Sequence, residues 1–318
     1  MRRDAKVIAD QFRLTRRQTL MLGSAGLAAL AMGLSARQAR AVGNATLGDA
    51  DVTIVSDGTL TLPLSFIAPD VPAAEIEALL KANGMATDAI TPDCNVTFFR
   101  SGDRLAIFDV GSGSNFMPTA GDLIANMEEA GIDPADVTDV IFTHAHPDHL
   151  WGLVDDFDEL VFPDANYFMG QAEWDYWRAD DTLDNMPEER KSFVVGAQNR
   201  LAFLEDRINL IRPGAEVIPG VEAIDTSGHT PGHLSYMLHS GSESMLVIGD
   251  AISNAVISFA HPEWPSGSDH DPQKGIETRT ALIDRLAADK SRIIGYHLPH
   301  PGQGMVERDG SAYRFAAG

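Results

Sequence analysis

Cysteine is almost missing from this chain. Cys94 is the only one in 318 residues, so no disulfide can close within the chain even in an oxidising compartment, and any bound metal would face nitrogen and oxygen donors. Positive charge is scarce as well. Lys and Arg number 24 against 46 Asp and Glu, a net charge of −22, and a surface so acidic repels nucleic acid and anionic lipid. No G-x-S-x-G motif occurs, which removes the serine-elbow hydrolases, and no Ser-His or Cys-His nucleophile stands out. There is no internal repeat. Apart from one stretch near the start, no run is long and apolar enough to span a bilayer.

That stretch begins with Thr15-Arg16-Arg17-Gln18-Thr19-Leu20, a twin-arginine pattern. An uncharged Ala/Gly/Leu-rich run over 20–36 follows, and then Ala39-Arg40-Ala41, a small-x-small cleavage site. Residues 1–41 therefore read as a Tat signal peptide that sends a folded protein to the periplasm or outside, with no stable membrane insertion after cleavage. Residues 42–318 form the working domain. The signal holds eight of the 24 basic and two of the 46 acidic residues, leaving 16 against 44, a net of −28. Such a surface favours neutral or cationic substrates or serves simple solubility, and the expected partner is a small hydrophobic neutral substrate.

The densest chemistry lies in Thr143-His144-Ala145-His146-Pro147-Asp148-His149. Residues 137–142 read as a buried strand, so His144 and His146, two apart at its end, point to one side. Pro147 stops the strand and turns Asp148 and His149 back across the same space. Neutral nitrogen and anionic oxygen together are the donors that bind borderline divalent metals. More ligand-type residues end other apolar runs. His229 lies in Gly228-His229-Thr230-Pro231-Gly232-His233, Asp250 ends 245–249, and His297 ends 292–296, the strand ends where open sheets place their sites.

In these four marks, H-x-H-x-D-H, G-H-T-x-G-H, a strand-ending Asp and a late His, the chain resembles the metallo-β-lactamase superfamily. It is most similar to the secreted methyl parathion hydrolase-like and lactonase members, with Ser56-Asp57-Gly58-Thr59 near the start and 295–302 near the end adding to the likeness. The resemblance implies an α+β fold, an αββα sandwich of two mixed β-sheets with helices on the outer faces. It implies two divalent metals, Zn first with Mn, Co or Fe as alternatives: His144, His146 and His229 on one, Asp148, His149 and His297 on the other, Asp250 bridging. A bridging water with a pKa drawn towards about 7 then supplies hydroxide, with Asp148 and Asp250 as the catalytic carboxylates. By local matching, Phe116, Trp177 and Phe193 line an aromatic pocket. Trp151 and His300 depart from the family pattern beside the metals and are expected to reshape that pocket. A homodimer is also implied.

The remaining pattern supplies elements. Strands are expected over 95–100 and 105–110, joined by a turn at 101–103, and over 223–226, 235–239 and 244–249; Asp57-Gly58 signals a hairpin. Helices are expected over 72–83, 119–130, 187 to about 210, and 279–290. His233 reads as a packing or supporting residue, and His239, His261, His270 and His300 as surface residues. The expectation is a periplasmic dinuclear hydrolase of lactone, aryl ester or organophosphate bonds. Alternatives are β-lactam or halo-aromatic hydrolysis at the same site, a mononuclear iron sulfur dioxygenase, and a non-catalytic metal-binding protein.

Overall fold

Two seven-stranded sheets lie face to face, and the residues that alternate along their central strands decide which face each one buries. The computed structural model describes residues 41–318; the expected signal over 1–41 falls outside them except for Ala41. In chain order the strands are β1 (Val42–Leu47), β2 (Ala50–Thr59), β3 (Leu62–Pro63), β4 (Ala89–Ile90), β5 (Asp93–Ser101), β6 (Arg104–Phe108), β7 (Asp139–Ile141), β8 (Asn166–Gly170) and β9 (Ile208–Ile211). They continue with β10 (Glu216–Ile218), β11 (Val221–Asp225), β12 (Leu234–Ser240), β13 (Glu243–Val247), β14 (Arg292–Ile294), β15 (Gln303–Asp309) and β16 (Ala312–Ala317). The first sheet runs β1-β2-β5-β6-β7-β8-β9 and the second β10 through β16 in sequence order, with β3 and β4 as a separate pair. Both are mixed: β6 to β9 are mutually parallel, as are β13 and β14, and the other neighbours are antiparallel.

Val52 and Ile54 of β2 face inward against Tyr236 and Val247 of the second sheet, whereas Val55 faces outward. Strand β5 is buried on both faces, so Val96 and Phe98 point to the outer helices while Phe99 points to the sheet interface. Tyr236 crosses that interface and donates from its hydroxyl to the carbonyl of Phe142 at 2.7 Å, tying β12 to the end of β7. Helices Leu123–Ala130, Gln171–Arg178 and Lys191–Leu201 cover the first sheet; Pro272–Asp289 covers the second with Leu282, Ile283 and Leu286. The four layers are the αββα sandwich.

Three local expectations need correcting. Asp57-Gly58 is no hairpin turn: both lie in β2 at a register shift between Ser56 and Thr59, and the Asp57 carboxylate accepts from the backbone N–H of Ser112 and Leu123. The helix expected from 119 begins at Leu123, because Thr119 is engaged with the carbonyl of Thr59. The helix expected over 187–210 is Lys191–Leu201 flanked by 3₁₀ turns, and its tail becomes β9, paired in parallel with β8. Among the described residues no helix is long and apolar enough to cross a membrane.

Candidate metal centre

Each ligand-type residue stands a few positions past the C-terminal end of a strand: His144, His146, Asp148 and His149 after β7, His229 after β11, Asp250 after β13, His297 after β14. The strands point these ends to one rim, so residues up to 153 positions apart become neighbours. Pro147 opens the short helix Pro147–Leu150, where its missing N–H costs nothing, and that turn swings His149 back beneath His144 with ring centroids 4.0 Å apart.

The outward nitrogens fix the inward ones. His149 Nδ1 and Thr143 Oγ1 both donate to Asp109 Oδ2, at 2.8 Å each. Because the Thr143 hydroxyl is committed, it accepts from His144 Nδ1 at 3.0 Å. His229 Nδ1 donates to Asp269 Oδ1 at 3.1 Å, and His297 Nδ1 to the backbone carbonyl of Asp93 at 2.8 Å. His146 reaches outward with Nε2, 2.9 Å from His270 Nε2, and His270 Nδ1 meets the Tyr176 hydroxyl at 2.9 Å. With each outer nitrogen committed to a partner, the remaining ring nitrogens face the centre: Nε2 of His144, His149, His229 and His297, and Nδ1 of His146.

Those atoms crowd together. His146 Nδ1 lies 3.0 Å from His144 Nε2 and 2.9 Å from His229 Nε2. Asp250 turns Oδ1 to His149 Nε2 at 3.2 Å and Oδ2 to His297 and His229 at 3.2 and 3.4 Å. Asp148 Oδ2 faces His297 and His149 at 3.2 and 3.4 Å. Despite this closeness, Asp148 Oδ2, His149 Nε2 and Asp250 Oδ1 are buried without an aligned hydrogen bond, which costs about 1–3 kcal/mol per orphaned group. Ligands on a tetrahedral ion with arms of about 2.0–2.1 Å sit roughly 3.3 Å apart, so both the spacing and the orphaned atoms fit divalent cations. The triplets His144–His146–His229 and His144–His149–Asp250 each fall within 4.8 Å, giving capacity for one or two divalent ions.

The cluster is electrically divided. Burial, with neighbouring imidazoles, pushes His144 and His146 well below the usual histidine range. Burial also opposes charge on His149 and His297, but the carboxylates of Asp250 and Asp148 overcome it and hold both well above that range. Reciprocally, although burial opposes ionisation, His149 and His297 keep Asp148 and Asp250 well below the usual carboxylate range. His144 and His146 are thus neutral and need only a cation, whereas His149 and His297 carry protons that a cation must displace. The Cys94 thiol, expected to stand aside, lies within 4.8 Å of ligand atoms of Asp148 and His297, with burial pushing it up to about 12.

Several residues back the cluster's ligands and, apart from His233 of the G-H-T-x-G-H stretch, carry no local signal in the sequence. Asp109 sits at φ 63°, a strained conformation for a side-chain-bearing residue, and its carboxylate also accepts from Thr143 N at 2.7 Å. Asp269 is itself held by Arg279 at 3.2 Å. His233 accepts from Asp250 N at 3.0 Å while its other nitrogen meets Thr226, and burial drives its pKa down to about 3. His270, expected at the surface, backs His146 instead, and burial takes it to about 3.

A cavity of about 380 Å³ opens onto the cluster, lined by His146, Asp148, His229, Asp250 and His297 on one side and by Phe66, Phe116, Met117, Phe193, Ile257 and Trp264 on the other. Phe116 and Phe193 are on its wall as expected by residue type, edge to face at 6.0 Å. Three other expected pocket residues are not. Trp177 is fully buried behind His146, its indole N–H committed to Glu173 at 2.6 Å. Trp151 supports Phe116 from behind at 5.6 Å, its ring wedged against Gly196 and under Arg200. His300 is turned away onto Asn95 Oδ1 at 2.6 Å, with its N–H on Asp93.

Similarity to known proteins follows the same outline. An uncharacterised Bacillus subtilis protein, YobT, is 26 % identical over 172 residues, 52 % of this chain and 70 % of its own length. The curated relatives are matched over 41–70 % of their lengths. Two solved structures align far more fully. AidC, a dizinc quorum-quenching lactonase bound to the product N-hexanoyl-L-homoserine, superposes at a TM-score of 0.83 with 28 % identity over 87 % of this chain and 97 % of that one. The hydrolase AbOPH superposes at 0.81, with the same identity and coverage. The sequence profile of the metallo-beta-lactamase superfamily matches residues 91–297, the span from just before β5 to the last ligand-type histidine, His297; the chain is a metal-dependent hydrolase belonging to that superfamily.

Proposed function

We propose that this enzyme opens lactones bearing an apolar acyl chain, with two cations, Zn foremost, held by His144, His146 and His229, by Asp148, His149 and His297, and by Asp250 between them. The observation that carries the reading is five imidazole nitrogens and two carboxylates directed at one buried point on the floor of an apolar cavity. A divalent cation there supplies Lewis acidity to a carbonyl or phosphoryl oxygen and acidifies water to a pKa of about 7. Asp250, fixed by the bond from its N–H to His233, spans both halves of the cluster with its two oxygens. Asp148 and Asp250 also line the cavity, so they are the groups in reach to take the proton of the attacking water and return it to the leaving oxygen. Phe116 and Phe193 exclude water and seat the chain.

Support comes from AidC, whose bound product is an acyl homoserine, and from the lactonase AttM of Azorhizobium caulinodans, 23 % identical over 55 % of this chain and 64 % of its own. Aryl esters and organophosphates are the second reading, favoured by the edge-to-face phenyl wall, which suits an aromatic leaving group. The test is metal-reconstituted protein assayed against lactones, aryl esters, phosphotriesters and β-lactams. Lactones of lengthening acyl chain should give the highest kcat/KM. Protein with two equivalents of metal that turns over none of the panel refutes the proposal. We further propose export through the twin-arginine signal over 1–41 and assembly as a homodimer; retention of an Arg16→Lys/Arg17→Lys variant in the cytoplasm and the mass of the mature protein in solution test these.

A further inference from the structure

We propose that Glu173 is the positioning residue for the first cation, clamping together the two loops that carry His144, His146 and His229. It sits in the first turn of the Gln171–Arg178 helix, directly after β8, on the same inward face as Trp177. Here the side chain is fully enclosed. An enclosed carboxylate is costly unless its lone pairs are matched, and these are. Oε1 accepts from Ala145 N at 2.9 Å and Trp177 Nε1 at 2.6 Å; Oε2 accepts from Thr230 Oγ1 at 2.7 Å and Gly232 N at 3.0 Å. Four donors meet four lone-pair directions, a set that no amide or protonated acid can reproduce.

The donors reveal the purpose. Ala145 is the one residue between His144 and His146, and Thr230 follows His229, in a turn closed by Gly228 N on Thr230 O at 3.0 Å. One carboxylate therefore sets the separation of two loops whose imidazole nitrogens must meet within about 3 Å. Gly232 explains how the loop comes so near, since a Cβ there would overlap the backbone nitrogen of Glu173. The hydrogen bonds of Glu173 stop at this half of the cluster. His149 and His297 are held instead by Asp109, just past β6, and by the backbone carbonyl of Asp93 on β5. Glu173 does not line the cavity, so it touches no substrate and acts only through the ligands.

The inference rests on the reading that these three imidazoles hold a cation, and it is independent of the substrate. Co(II) titration of the mature protein, followed by equilibrium dialysis and visible absorption, tests it. In Glu173→Gln, one of the two equivalents should weaken by about 10–100-fold, with a changed absorption band, while the other keeps wild-type affinity. Thr230→Val, which removes one donor, should move the same equivalent in the same direction by less, and Thr230→Ser, which restores the hydroxyl, should match wild type; this pair decides the matter if Glu173→Gln does not fold. Asp139→Asn, which strips a buried carboxylate bound to Arg104 at 2.8 Å at the start of β7, controls for stability and should leave both equivalents unchanged. If neither equivalent weakens in Glu173→Gln, or both weaken together in step with Tm, the clamp is refuted. If wild-type protein takes up no metal, the metal reading falls first and the clamp with it.

Discussion

The metal cluster and the cavity that opens onto it share residues, yet they are built from opposite kinds of sequence. Every ligand of the cluster is delivered within eight residues of a strand end, by motifs whose chemistry and spacing are local: Ile141 to His149, Asp225 to His229, Val247 to Asp250, Ile294 to His297. The cavity wall is gathered from 60–67, 116–117, 189–193 and 253–268, mostly loops, and its residues are joined only by shape. The lesson is that the reaction's machinery is written in short words, whereas its selectivity is written in distant packing.

Four experiments break or sharpen that contrast. The largest effect should come from the cluster: His146→Ala or Asp250→Asn should lower kcat/KM by orders of magnitude in metal-analysed protein whose circular dichroism is unchanged. Retained turnover would erase the distinction. Next is pH. His149 and His297 are held protonated above the usual range by Asp250 and Asp148, so the second cation must displace protons and should bind more weakly as pH falls, by up to about 100-fold per unit for two protons. His144 and His146 are already neutral, so neither releases a proton to the first cation in the neutral range and its affinity should depend on pH less steeply than the second's; calorimetry in buffers of differing ionisation heat reads the proton count.

On the cavity side, Phe116→Ala and Phe193→Ala should each cost about 1–3 kcal/mol in kcat/KM for long-chain substrates, largely through KM, with metal content unchanged. Loss of metal would show that wall and cluster are one unit. Smallest should be Trp151→Phe, which keeps an aromatic ring behind Phe116 and under Arg200: a stability change of about 1–2 kcal/mol and little change in metal affinity, read by thermal melts and metal analysis.

The same contrast explains what could be read from the chain before its fold. Seven ligand-type residues and most strands were legible, since periodicity and strand-end chemistry are local signals; the two-sheet architecture followed only from the family resemblance that the metal motifs carry. Asp109, Asp269, His270 and Glu173 were not, because each acts across 28 to 124 positions, on a ligand or on the residue between two ligands. Trp177 misled for a physical reason: its indole looks like pocket lining until its N–H is seen committed to a buried carboxylate. The tail of the 187–210 stretch misled because Ile208 satisfies a helical stripe and a parallel edge strand equally well.

Because the ligands all gather at one rim, the opposite rim is left to bare reversals of direction. Gly102, Gly241 and Gly310 turn there with left-handed backbones and open space where a side chain would be. An affinity handle, a surface tether or a pair of new chain ends introduced at 241 or 310 would sit a full strand length from the cations, so the enzyme could be immobilised by its base with its mouth facing the solution.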